Sequence, residues 1–91
     1  MLSAAERKGL KTRAHKLEPV VIVGAKGLTD EVVKEIEVAL KAHELIKVRA
    51  AALGRDEREH VLERILSRTK ADLVQTIGKV FILYRKNDEA G

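Results

Sequence analysis

Apolar positions in the first part of the chain recur at helical spacing: at 100° per residue, Leu10, Ala14 and Leu17 fall within about 60° of one another. Ahead of them Ser3-Ala4-Ala5-Glu6 has the Ser-x-x-Glu form of a capping box, in which each side chain takes the other residue's free backbone N–H. A first helix is predicted from about Ala4 to Lys16, with Arg7, Lys11 and His15 along a ridge beside the apolar stripe and Lys8 close by. Pro19 lacks an N–H and disfavours helical geometry at Glu18, so the helix ends before it. The run Val20 to Val23 then reads as a strand, and its unbroken apolar character predicts burial on both faces.

Two glycines later Thr29 is a good N-cap, Asp30 and Glu31 suit the positive end of a helix dipole, and Val32, Val33, Ile36, Ala39 and Leu40 keep helical period to about His43. In the segment after it Ile46, Val48 and Ala50 alternate with Lys47 and Arg49, the pattern of a strand with one buried and one basic or wet face. Beyond Gly54 a charged third helix gathers Val61, Leu62, Ile65, Leu66 and Thr69 on one side, with Arg55 and Glu59 paired on the other. Two last strands, ADLVQTI and VFILYR, are joined by Gly78-Lys79, a signature of a type II′ hairpin. The predicted order is αβαβαββ, an α/β fold with three helices packed on a mixed four-stranded sheet. No repeat, linker or low-complexity tract interrupts it, so residues 1–91 are expected to form a single domain with a frayed tail over about 87–91.

Composition narrows the functions open to such a domain. Hydrophobic residues at 45% and charged residues at 35% fit a soluble globular protein, and 91 residues leave no room for a second domain. There is no cysteine, which excludes disulfides, thiolate metal sites and a cysteine nucleophile, and makes a reducing cytoplasm the simplest expectation. No apolar run approaches the roughly 18 residues of a membrane span. The net charge is +4, and its distribution carries more information than its size. Arg7, Lys8, Lys11, Arg13 and Lys16 face Glu6 alone, so residues 3–16 supply the whole excess, while the acids and bases of the rest cancel. An unneutralised basic segment of this kind points to a polyanionic partner.

Catalytic chemistry is poorly supplied. His15, His43 and His60 lie far apart with no metal-binding spacing, and Ser3 and Ser67, the only serines, read as a cap and as a helix residue outside any nucleophile elbow. Neither an enzyme nor a metal or organic cofactor is expected. The loop Gly24-Ala25-Lys26-Gly27 lacks both nucleotide fingerprints. Two readings of it stay open: a plain strand-to-helix turn, or an anion site in which backbone amides and Lys26 meet a phosphate, with Asp30 and Glu31 opposing a phosphate on the helix axis. Phe81 and Tyr84 are the only aromatic residues, too few for a platform of stacked bases, although Tyr84 with Arg85 and Lys86 offers one further contact. Recognition through backbone and shape favours structured RNA.

The blocks LKTRAHKLEPVVIVGAKGLT, VVKEIEVALKAHELIKVR and LVQTIGKVFILYRK, in this order and spacing, resemble the CRM domain, named for chloroplast RNA splicing and ribosome maturation, in its stand-alone bacterial YhbY-type form. The likeness covers nearly the whole chain. It implies a fold similar to the C-terminal domain of bacterial translation initiation factor three, with the same αβαβαββ order. It implies an RNA-binding function, in bacterial members associated with precursors of the large (50S) ribosomal subunit, with the GxxG loop, here Gly24 to Gly27, and the basic surface of the first helix as contacts. The expectation is thus a monomeric, non-catalytic module that binds ribosomal RNA through Gly24, Ala25, Lys26, Gly27, Arg7, Lys8, Lys11, Arg13 and Lys16, with Arg85 and Lys86 as accessory contacts. The rivals are an adaptor docking its basic helix on an acidic ribosomal or assembly protein and, more remotely, a DNA-binding architectural protein.

Overall fold

The structure, a computed structural model, describes residues 2–87. Along the chain run α1 (Ala4–Ala14), β1 (Pro19–Ile22), α2 (Asp30–His43), β2 (Leu45–Arg49), α3 (Arg55–Thr69), β3 (Asp72–Ile77) and β4 (Val80–Tyr84). This is the predicted order. The strands form one sheet in the spatial order β1-β2-β4-β3, with β1 parallel to β2 and the other neighbours antiparallel.

Local chemistry sets the element boundaries. At the start of α1 the Glu6 amide donates to Ser3 Oγ at 3.1 Å and the Ser3 amide donates to Glu6 Oε1 at 2.9 Å, so the capping box is complete. Thr29 Oγ1 accepts the Val32 amide at 3.2 Å and caps α2. Between β3 and β4, Gly78 has φ +57° while Lys79 stays at negative φ, the combination a type II′ turn requires.

The sheet has a core on each side. On one side α2 and α3 cover Val21, Val23, Ile46, Val48, Phe81 and Leu83, with Ile36, Leu40, Val61 and Ile65 packed onto them. On the other, α1 covers only part of the sheet: Leu10 and Ala14 pack with Leu45, Val74 and Ile82, and α1 lies against β2 and β3. Phe81 is buried in the first core and Tyr84 is half-buried beside the second.

The expectation for Val20 to Val23 needs correction. Val21 and Val23 are buried, but Val20 and Ile22 are 51% and 66% exposed. An apolar run buries both faces only where both are roofed. Here β1 is an edge strand and the helix on its second side stands over β2 and β3 instead. A second correction concerns the tail. Asn87 is tied down, its amide donating to Glu44 Oε2 and its side-chain amide to the Lys41 carbonyl, each at 2.8 Å. The remainder of the tail, 88–91, lies outside the described residues.

Candidate nucleic-acid interface

The chain leaves β1 through Val23, whose amide donates to the Arg49 carbonyl at 2.8 Å, and then turns. The Gly27 amide closes the turn on the Gly24 carbonyl at 3.0 Å, with Ala25 and Lys26 at its corners and the buried Leu28 anchoring the exit into α2. Gly24, Ala25 and Lys26 are exposed. The amides of Ala25 and Lys26 donate to nothing among the described residues, and both residues are exposed in the turn that leads to Thr29 and α2.

The two glycines have different reasons for being glycine. Gly27 sits at φ +78°, a left-handed conformation that side chains resist. Gly24 has ordinary φ, and a Cβ built on it would meet nothing within 4 Å. The fold therefore requires glycine at 27 but not at 24, where the missing side chain leaves bare backbone open to an approaching ligand. The opposition expected from Asp30 is also reduced, because Arg68 Nη1 reaches its carboxylate at 3.3 Å, although both groups remain exposed.

On α1, Lys8 and Arg13 are exposed and Arg7 and Lys11 half-buried. The helix stops at Ala14 rather than Lys16, so the exposed Lys16 lies in the turn just past it, and none of the five forms an ion pair among the described residues. Glu6, the one acid of the segment, is engaged in its own helix cap. Its carboxyl is held below the usual value of 4.5 by hydrogen bonding from Ser3, first its backbone amide and then its hydroxyl. The cations of α1 thus keep their charge for an external anion.

The structure does not bring the α1 ridge against the GAKG loop. Residues 15–18 lead from the end of α1 at Ala14 to β1, and the loop begins past the other end of β1. The strand Pro19–Ile22, roughly 13 Å long, therefore lies between the C-terminus of the helix and the loop. Between the two lies the part of the sheet that α1 leaves open. Register assembles its outer row: Ile22 pairs with Arg49, Arg49 with Val80, and Val80 with Ile77, one residue from each strand on the face opposite Val48 and Phe81. Lys47 lies on the same face one pair inward, and Lys79 follows in the adjoining hairpin, whose carbonyl takes the Ala50 amide at 2.8 Å. Reading the chain residue by residue missed this surface. The alternation of Lys47 and Arg49 had marked one face of β2 as wet, and pairing carries that mark to β1 and β4.

Arg85 is withdrawn from the candidate contacts. Its Nη1 donates to Glu37 Oε1 at 2.6 Å and to the Thr69 carbonyl at 2.7 Å, and only 21% of its side chain is exposed. The guanidinium is used to tie β4 to α2 and the end of α3. Lys86, beside it, is exposed.

Among the described residues no helix is long and apolar enough to cross a membrane. The family model described as the CRS1/YhbY (CRM) domain matches residues 2–85. A Haemophilus influenzae protein named as an RNA-binding protein is 47% identical over 98% of this chain and 90% of its own length. A protein of Pseudomonas aeruginosa named as a probable RNA-binding protein is 45% identical over 94% of this chain and 83% of its own. Among solved structures, that of a Staphylococcus aureus protein described as a candidate RNA-binding protein superposes with a TM-score of 0.83 at 30% identity, over 100% of this chain and 95% of that one. With the family model matching residues 2–85 and these likenesses running along almost the full length, the chain belongs to the CRS1/YhbY (CRM) domain family.

Proposed function

We propose that the protein is a non-catalytic RNA-binding module of the cytoplasm that holds structured ribosomal RNA during assembly of the large ribosomal subunit. The observation that carries the reading is Gly24, a glycine that the fold does not require, in an exposed turn with free amides and a lysine. A bare backbone beside a helix N-terminus suits a phosphate, and glycine permits the close approach. Support comes from the unpaired cations of α1 and from relatives named for RNA binding. Phosphate contacts from Lys26, Lys8, Lys11, Arg13, Lys16 and Arg7 position such an RNA without reading its sequence.

The test is binding of the purified protein to naked fragments of large-subunit ribosomal RNA across a salt series. Binding well above that to an unrelated RNA, and tighter than to duplex DNA, is the expected result. In Lys11→Ala/Lys26→Ala the logarithmic salt slope should fall by roughly one for each phosphate no longer neutralised. A folded double variant with unchanged affinity and slope would remove these residues from the site. Association with ribosomal particles but not with naked RNA would instead support a protein-docking adaptor.

A further inference from the structure

The half-open face of the sheet has a composition that neither a solvent face nor a protein interface explains. Ile22 and Ile77 are 66% and 50% exposed at the two ends of one row, with Val80 and Arg49 between them. The row crosses all four strands, roughly 14 Å at about 4.8 Å per gap. Apolar side chains at that exposure on a sheet are a liability unless something covers them. The cover cannot be purely apolar, because Arg49 stands inside the row and has no ion-pair partner among the described residues, with Lys47 next to it and Lys79 and the Lys26 loop at its border. Glu18 is the one acid lining the groove that His15, Lys47, Ile77 and Val80 share with it, and it is exposed and pairs with no cation among the described residues. Protein partners avoid charge at the centre of an interface, since burying cations without counter-charges is costly.

A nucleotide matches both halves of this surface. Its base presents a flat π face that rests on aliphatic side chains and stacks on a guanidinium plane, and its phosphate suits the surrounding lysines. We propose that the row Ile22, Arg49, Val80 and Ile77 receives the unpaired bases of a structured RNA whose backbone is held by the GAKG loop and α1. This rests on the RNA-binding reading and specifies the element bound: a bulge, loop or frayed end beside a helix. Arg49 takes the role that an aromatic ring has in other RNA-binding sheets, and an aliphatic floor makes the contact tolerant of base identity.

The experiment compares two RNA hairpins, identical except that one carries a short unpaired bulge, by fluorescence anisotropy with the full chain at several salt concentrations. The wild type should bind the bulged hairpin about tenfold tighter, as one stacked base provides. Ile22→Ser/Ile77→Ser replaces exposed side chains and should retain the far-ultraviolet circular dichroism of the wild type. It should erase most of the preference while leaving the paired hairpin's affinity and salt slope intact. Arg49→Lys keeps the charge but loses the plane, and should reduce the preference without changing the slope. A folded Ile22→Ser/Ile77→Ser protein that keeps the preference overturns the assignment, as does equal loss of affinity for both hairpins. A wild type that binds both hairpins equally also overturns it, leaving RNA binding intact and the face to a protein partner. A wild type that binds neither removes the RNA-binding reading along with it.

Discussion

The Gly27 amide donates to the Gly24 carbonyl at 3.0 Å across a single turn, yet only one of these two glycines is held by backbone geometry. With φ at +78°, Gly27→Ala forces a side chain into the left-handed region at a cost of about 1–2 kcal/mol, equivalent to a Tm lower by about 4–8 °C per kcal/mol in a domain of this size. Gly24→Ala has open space and ordinary φ, so its Tm should equal or slightly exceed that of the wild type through loss of unfolded-state entropy. If an RNA backbone packs against Gly24, the same methyl group weakens binding. Thermal melts and RNA titrations of the two variants separate a turn from a site. Full RNA affinity in Gly24→Ala returns the loop to a corner of the fold.

Arg85 joins elements that are far apart in sequence, and its removal should register in stability. Its hydrogen bonds to Glu37 and to the Thr69 carbonyl are partly shielded from water, a setting in which a bond to a charged group contributes about 1.5–3 kcal/mol. Arg85→Ala should lower the urea midpoint while leaving the RNA salt slope at its wild-type value below the transition. Lys86→Ala, at an exposed position with no partner of this kind, should leave the midpoint within error. The opposite pattern, a stable Arg85→Ala protein with a reduced slope, would restore Arg85 to the interface.

Glu6 gives the basic helix a pH-dependent end. Its carboxyl is held below 4.5 in the folded protein by hydrogen bonding from Ser3, so the unfolded chain binds the proton more readily. For a depressed carboxyl the stabilisation is present above the unfolded value, and is lost as pH falls through the lower, folded one. The Tm difference between wild type and Glu6→Gln should therefore be constant around neutrality and shrink in acid below about pH 4.5. A difference that persists unchanged to pH 2 would show that the carboxylate's charge plays no part in the cap.

The elements were legible where local chemistry decides them. Ser3 with Glu6, Thr29 and the Gly78-Lys79 pair each act on backbone within a few residues, and the structure has them in the predicted roles, whereas α1 already ends at Ala14 and Pro19 opens β1. Positions that depend on what packs across the sheet were not legible. Whether Val20 and Ile22 are covered is decided by where α1 lies, and a period-2 pattern contains no information on that. Arg85 looked free because Glu37 is 48 residues away in the chain. The candidate site divides in the same way: the GAKG loop can be read from its own residues, whereas the Ile22–Arg49–Val80–Ile77 row exists only through register.

The separation of α1 from the loop by β1 makes a prediction that one continuous basic patch would not. Lys11 is on the helix that packs over β2 and β3, and Lys26 is at the far end of the edge strand. Exposed charges farther apart than about 8–10 Å at physiological salt are largely screened from one another. If each lysine neutralises its own phosphate, the decreases in binding free energy for Lys11→Ala and Lys26→Ala should add in the double variant to within about 0.5 kcal/mol. Each single variant should also lower the salt slope by a similar amount, and the double variant by about twice that. Were both side chains to share one phosphate, the second substitution would cost much less than the first, and the coupling energy would exceed that margin. The four titrations of this cycle, at two salt concentrations, therefore measure whether RNA spans the molecule from helix to loop across the open sheet.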